Sequence, residues 1–189
     1  MLGAPFEISA PQPGDSPVLV EIPHADVTLD PETMALVLAP ARSVARDADL
    51  YVDELFAGAP RLGATLLVAR RSRYAVDLNR ACDDHDRLAV VGGPSRERPR
   101  GVIWRLSSDG ERVLGEPLCR AEYQRRLDTI WRPYHDALAA ELDRKRERFG
   151  FAVMLSAHSM PTPRSVPGQP APEPTADIVR SADVSFANL

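Results

Sequence analysis

Two groups of side chains in this sequence have the types and spacing to do chemistry. His24 follows VLVEIP (18–23) and His158 follows FAVMLSA (151–157), so each imidazole comes directly after an apolar, β-branched run of strand type. If those strands are parallel neighbours, both rings reach one rim of the sheet, and convergent imidazoles suit zinc. A catalytic zinc takes three protein ligands and keeps a position open for water, so a carboxylate is needed, and Asp47, Asp49, Asp53 and Glu54 supply candidates. The plainer alternative is that the histidines cap strand ends and the acids complement a helix dipole. The second group is Arg73, Asp77, Asn79 and Arg80, in SRYAVDLNR. Asp77 and Asn79 share strand parity, and Arg80, just past the strand end, could grip a substrate carboxylate bidentately. An Arg to Asp ion pair closing the strand is the alternative there. His85, in the acidic DDHD loop, and His135, inside a helix, read as surface or packing residues.

The elements that must position these groups follow from the hydrophobic pattern. Residues 1–16 are rich in Pro and Gly without a period and read as a loose lead-in, and one domain is expected over 17–189. Asp30 is placed as the N-cap of a helix with Pro31 at its first position. A second helix is expected over Asp47 to Phe56, then buried strands at ATLLVA (64–69) and YAVDLN (74–79). Residues 80–100 lack a period and read as a long surface loop, and VIWRL, SDGE and RVLG suggest a small hairpin. The clearest helix runs from about Ala121 to Arg148. Leu127, Ile130, Trp131, Tyr134, Leu138 and Leu142 form its apolar stripe, Pro133 is a bend point, and Glu122 with Arg126 and Glu141 with Lys145 make exposed i,i+4 pairs. A Pro-rich stretch (161–174) and a strand-like ADIV (176–179) complete the pattern. Strands alternating with helices predict an α/β fold with a mixed, mostly parallel sheet flanked by helices, in which ligands gather at the C-terminal ends of strands.

Composition narrows the class. With 23 Lys plus Arg against 27 Asp plus Glu, the chain offers no basic field for a phosphate backbone, so nucleic acid is not an expected partner. No apolar run is long enough to span a bilayer, and the first residues lack the pattern of a signal peptide, so a cytoplasmic protein is expected. Cys82 and Cys119 are too few for a disulfide framework and read as free thiols. Lys145 is the single lysine, which leaves it as the one candidate for any Schiff-base chemistry.

The blocks EIPHAD (21–26), RDADLYVDELF (46–56), GATLLVARRSRYAVDLNR (63–80), GEPL (115–118), WRPYHDALAAEL (131–142) and LSAHSMP (155–161) together resemble the N-formylglutamate amidohydrolase family, in that family's order. The resemblance implies a fold similar to the zinc carboxypeptidases and hydrolysis of N-formyl-L-glutamate to formate and glutamate, a step of histidine catabolism. Carried over to this chain, it implies His24 and His158 as zinc ligands. The carboxylate ligand falls on Asp49, ahead of Asp47 and Asp53. Asn79 and Arg80 are implied as binders of a small-molecule carboxylate substrate, with Arg73 as a helper. The sequence departs from the family pattern at Ala25-Asp26, where Ser-Gly is usual, and at Ser156, where an acidic residue commonly stands and would orient the metal ligand. The resemblance also implies a general-base glutamate further along, and no residue of this chain is assigned that role. The chain is therefore expected to be shortened relative to the family, either as an active amidohydrolase or as an impaired paralogue that binds metal or a small acid. A missing strand would leave a sheet edge through which copies could associate.

Overall fold

A computed structural model describes residues 3–159, and the expected Pro-rich stretch and ADIV strand lie outside the described residues. Four strands form one sheet in the order β1-β3-β2-β4: β1 (Phe6–Ser9), β2 (Val18–Ile22), β3 (Thr65–Ala69) and β4 (Val153–Ser156). β2 runs parallel to both β3 and β4, whereas β1 pairs antiparallel with β3. This is the mixed, mostly parallel sheet that the sequence predicts. The segment expected as a loose lead-in includes β1, because FEIS can take up the edge of β3 left free by β2.

Helices cover both faces of the sheet, which is why β2 and β3 read as continuous apolar runs rather than alternating ones. On one face, Leu19, Leu67 and Ala69 meet Leu127, Ile130, Tyr134 and Leu138. On the other, Val20, Ile22, Leu66 and Val68 meet Val52, with Phe56 and Ala59 packed alongside. Each fully buried aliphatic side chain in these layers stabilises the fold by about 1.5–3 kcal/mol.

The long helix is interrupted. α4 (Arg120–Arg126) passes through a π-helical turn at Leu127–Trp131 into α5 (Arg132–Phe149). Pro133 has no N–H to give to the preceding turn, and the wide turn comes directly before it. Two expected surface pairs are in fact anchors in the interior. Arg126 is fully buried, donating from Nε to Glu122 at 2.7 Å and from Nη1 to the Ala75 carbonyl at 2.9 Å. Lys145 is also fully buried and bonds Asp15 and the Ser16 carbonyl instead of Glu141.

Three further expectations are corrected. The helix over Asp47 to Phe56 is split into the end of α2 (Ala41–Asp47) and α3 (Val52–Phe56), after the short, Asp30-capped α1 (Pro31–Met34). Ala48 is extended and Tyr51 adopts φ 68°, a left-handed conformation costing about 1–2 kcal/mol for an ordinary L-residue. The break presents Asp49 to the end of β2, where its N–H donates to the His24 carbonyl at 2.9 Å. YAVDLN (74–79) is a run of turns rather than a strand. Its backbone groups are satisfied by side chains from α4 and α5 and by Val102, not by a sheet ladder. The expected hairpin is reduced to isolated bridges, Leu106 with Arg112 and Arg100 with Trp104.

Candidate metal centre

β2 and β4 are parallel neighbours with Glu21 opposite Ser156, so the chain leaves both strands on the same rim and delivers His24 and His158 together. Their Nδ1 atoms are 3.4 Å apart. Asp49 Oδ2 lies 3.0 Å from His158 Nδ1 and 3.5 Å from His24 Nδ1. Two other carboxylates of the acidic cluster, Asp47 and Asp53, are engaged elsewhere. Asp47 accepts from the Tyr74 hydroxyl at 2.6 Å and from Ser108, and Asp53 pairs with Arg70 at 2.9 Å.

The outer nitrogens of both rings have partners. His24 Nε2 donates to Asp77 Oδ1 at 2.8 Å, and its Nδ1 faces Asp49. His158 Nε2 lies 3.1 Å from Ser156 Oγ, so the residue that stands in place of an acid still reaches the ring, as a neutral hydroxyl. Asp77 is buried and satisfied three times over: its Oδ1 also accepts the Asn79 N–H at 2.9 Å, and its Oδ2 accepts the Trp104 Nε1–H at 2.8 Å. Burial would raise its carboxyl pKa, but the bond and charge of His24, the charge of Arg73 and the Asn79 N–H outweigh it and lower the value to about 2. Asp49 is likewise held well below the usual carboxylate range, because its bonds to His158 and His24 outweigh desolvation. Ser159 donates to its second oxygen at 2.9 Å.

The donor set suits a cation. With the Nε2 protons directed outward, the two Nδ1 lone pairs and an ionised carboxylate oxygen face one another, an arrangement that is favourable around a positive charge. His24, Asp49 and His158 could therefore hold a metal ion. Arg73 lies at the same place. Its Nη2 is 2.7 Å from His24 Nδ1, its Nη1 donates to the Asp47 carbonyl at 3.0 Å, and its guanidinium carbon is 4.8 Å from the centre of the Trp104 ring. Its buried Nε has no hydrogen-bond partner among the described residues. Asn79 and Arg80 are exposed, two and three residues beyond Asp77, and their side chains make no hydrogen bond or ion pair among the described residues. Asp26, in the other departure from the family pattern, closes a turn by accepting the Thr28 N–H.

A profile of the N-formylglutamate amidohydrolase family matches residues 16–184. This chain belongs to that family. The N-formylglutamate deformylase of Pseudomonas putida is 37% identical over 149 residues, and that of Pseudomonas aeruginosa is 34% identical over the same length. Each alignment covers 78% of this chain and 53% of the relative, so the chain spans about half the length of the curated relatives it matches. Among solved structures, the N-formylglutamate amidohydrolase of Ralstonia eutropha JMP134 superimposes with a TM-score of 0.76 at 29% identity, covering 84% of this chain and 59% of that one. A protein of Agrobacterium tumefaciens superimposes with a TM-score of 0.63 at 24% identity and shares the fold.

Sequence reasoning brought the two histidines to one rim, and it grouped Asp77 with Arg73, Asn79 and Arg80 rather than with His24. The signal for its actual place was its parity with Asn79 beside a short run carrying Trp104. A buried tryptophan N–H needs an acceptor, and Asp77 supplies it while holding His24. Ser159 left no signal beyond its position next to His158.

Proposed function

We propose that this family member hydrolyses the amide of N-formyl-L-glutamate, or of a closely related N-acyl amino acid, to formate and the free amino acid at a zinc ion held by His24, Asp49 and His158. The observation that carries the reading is the convergence of three donor atoms on one point. Ligands about 2.0–2.1 Å from a tetrahedral zinc stand about 3.3 Å from one another. The three separations seen here are 3.0, 3.4 and 3.5 Å. No helix among the described residues is long and apolar enough to cross a membrane, and both thiols are free, which supports a cytoplasmic enzyme.

When bound, zinc would supply a Lewis acid for the formyl carbonyl and lower the pKa of a water in the open position. The chain's own residues do the rest. Asp77, an acceptor only, favours the Nε2–H tautomer of His24, and the Ser156 hydroxyl can accept from Nε2–H of His158, which would leave both Nδ1 atoms to face the metal. Arg73 brings the cation closest to the cluster and would donate to an oxygen that gains negative charge there. Asn79 and Arg80, two and three residues beyond the Asp77 that holds His24, would take the substrate carboxylate, because an exposed guanidinium with no partner among the described residues is suited to bidentate capture. If copies associate, β4, which ends the sheet among the described residues, is the expected edge.

The test combines zinc analysis of the 189-residue chain with an assay of formate release from N-formyl-L-glutamate. Stoichiometric zinc with turnover is the expected result, with loss of zinc in His24→Ala and His158→Ala and a raised KM in Arg80→Ala. Failure to take up zinc on reconstitution would overturn the ligand assignment. Zinc uptake without formate release would overturn hydrolysis by this chain.

A further inference from the structure

WRPYH (131–135) is a motif to which the site as described gives no role. Trp131 Nε1 donates to the Arg80 carbonyl at 2.9 Å, and His135 Nε2 donates to the Leu78 carbonyl at 3.0 Å. The two carbonyls flank Asn79. We propose that Trp131 and His135 are positioning residues which, by holding these carbonyls, fix the corner that presents Asn79 and Arg80 to the substrate carboxylate. The proposal rests on the carboxylate-binding role given above to those two residues.

Three observations support it. The first is that residues 74–80 have no sheet ladder, so the direction of each side chain depends on what holds the backbone. Arg126 holds its start through the Tyr74 and Ala75 carbonyls, the Asp77 N–H donates to the Val102 carbonyl, and Trp131 with His135 hold its end. The side chains of Asn79 and Arg80 have no bonds of their own among the described residues to direct them.

The second is the π turn. Residues five apart on an α-helix point about 140° away from each other. An i→i+5 turn brings them onto one side. The turn at Leu127–Trp131 therefore puts Trp131 on the same side as Arg126, and His135 follows one α-helical turn later. Without the extra residue, a helix holding the start of the loop with Arg126 would turn Trp131 away from its end.

The third is that both rings are themselves fixed. Trp131 and His135 stack with centroids 4.0 Å apart, and Tyr134 meets His135 edge-on at 5.5 Å. The Tyr134 hydroxyl donates to buried Glu21 at 2.8 Å, which ties the group to β2. Burial lowers the His135 pKa against the opposing pull of Glu21 and the Leu78 carbonyl, so the ring is a neutral Nε2–H donor near neutral pH.

The experiment compares Trp131→Phe, His135→Leu and His135→Gln with the wild-type, zinc-loaded 189-residue chain. Phe keeps an aromatic ring without the N–H, Leu removes the donor, and the Gln amide nitrogen reaches about as far along the side chain as Nε2. Zinc content, KM and kcat for N-formyl-L-glutamate are read for each. The expected result is a KM raised about tenfold in the Phe and Leu variants, equal to about 1.4 kcal/mol of lost binding, with unchanged zinc and little change in kcat. His135→Gln should recover most of the wild-type KM. If Trp131→Phe fails to fold, the His135 pair decides the matter alone. The proposal is overturned if KM stays within twofold in the folded donor-less variants, if Gln is no better than Leu, or if zinc is lost along with activity, the mark of a merely architectural role. A wild-type chain that does not turn over the substrate, or an Arg80→Ala variant with unchanged KM, would instead refute the underlying reading, and the proposal would fall with it.

Discussion

Replacing Asp77 by Asn tests whether the carboxylate behind His24 sets the chemistry of the nitrogen in front. Asp77 accepts three N–H groups, from His24 and Asn79 at Oδ1 and from Trp104 at Oδ2. An amide has one acceptor oxygen and one donor group. If its oxygen keeps His24 and Asn79, its NH2 meets the Trp104 N–H head to head. If it flips, the NH2 faces His24 Nε2 and selects the tautomer with the proton on Nδ1, the nitrogen that faces Asp49 and His158. Either way a buried donor loses its partner, at about 1–3 kcal/mol. Loss of a partner behind a metal-bound histidine typically weakens metal affinity 10- to 100-fold, or about 1.4–2.7 kcal/mol. The assay is zinc competition against a chelator on folded protein, with melting of the metal-free forms as the control. A zinc affinity within twofold of wild type in folded Asp77→Asn would refute the reasoning, because the tautomer would then not depend on this carboxylate.

Two further expectations concern the scaffold. A Cβ on Gly101 would run into the Asp84 carbonyl, a backbone atom already accepting the Val102 N–H at 2.7 Å, so Gly101→Ala should destabilise by at least about 1–3 kcal/mol; an unchanged urea midpoint would show that the loop yields freely. Asp15 is half-buried among Arg144, Lys145 and Arg148, and the bond from Arg144, helped by Lys145 and opposed by desolvation, holds its carboxyl well below the usual range. Its folded-state pKa lies below the unfolded one, so this stabilisation is complete above the ordinary carboxylate range and is lost as the pH falls through that range towards the folded value. Asp15→Asn should therefore be less stable than wild type at neutral pH, with the gap closing in acid, and a gap independent of pH would contradict the assignment.

Much of this arrangement was legible because apolar periodicity reports burial. β2, β3 and β4 are short apolar runs, and the Leu127 to Leu138 stripe is a helical face, so sheet, helix and the rim carrying His24 and His158 followed from pattern. Where burial was reached by other means, pattern misled. YAVDLN has the alternation of a strand, yet its partners are Arg126 and His135, with Trp131 on the Arg80 carbonyl just beyond it, distant side chains whose role has no periodic signature. Spacing alone left the acids around Asp49 open and only the family resemblance put Asp49 first; in the structure a left-handed residue at Tyr51 and the Asp49 bond to the His24 carbonyl set it apart. Arg126 and Lys145 looked like surface residues by type, and long-range contacts to the loop and to Asp15 draw them inside.

The strand order β1-β3-β2-β4 also carries a timetable. A ribosome makes β1, β2 and β3 together with the first 69 residues, and those three can pair as soon as they emerge. The other side of β2 must wait for β4, and His158 follows His24 by 134 positions. At about 5–20 residues per second, the first histidine spends on the order of ten seconds without its counterpart. During nascent growth, then, the incomplete cluster has no closed chelate to trap a stray ion, and any metal that His24, Asp49 and His158 would hold can be enclosed only after β4 has joined the sheet.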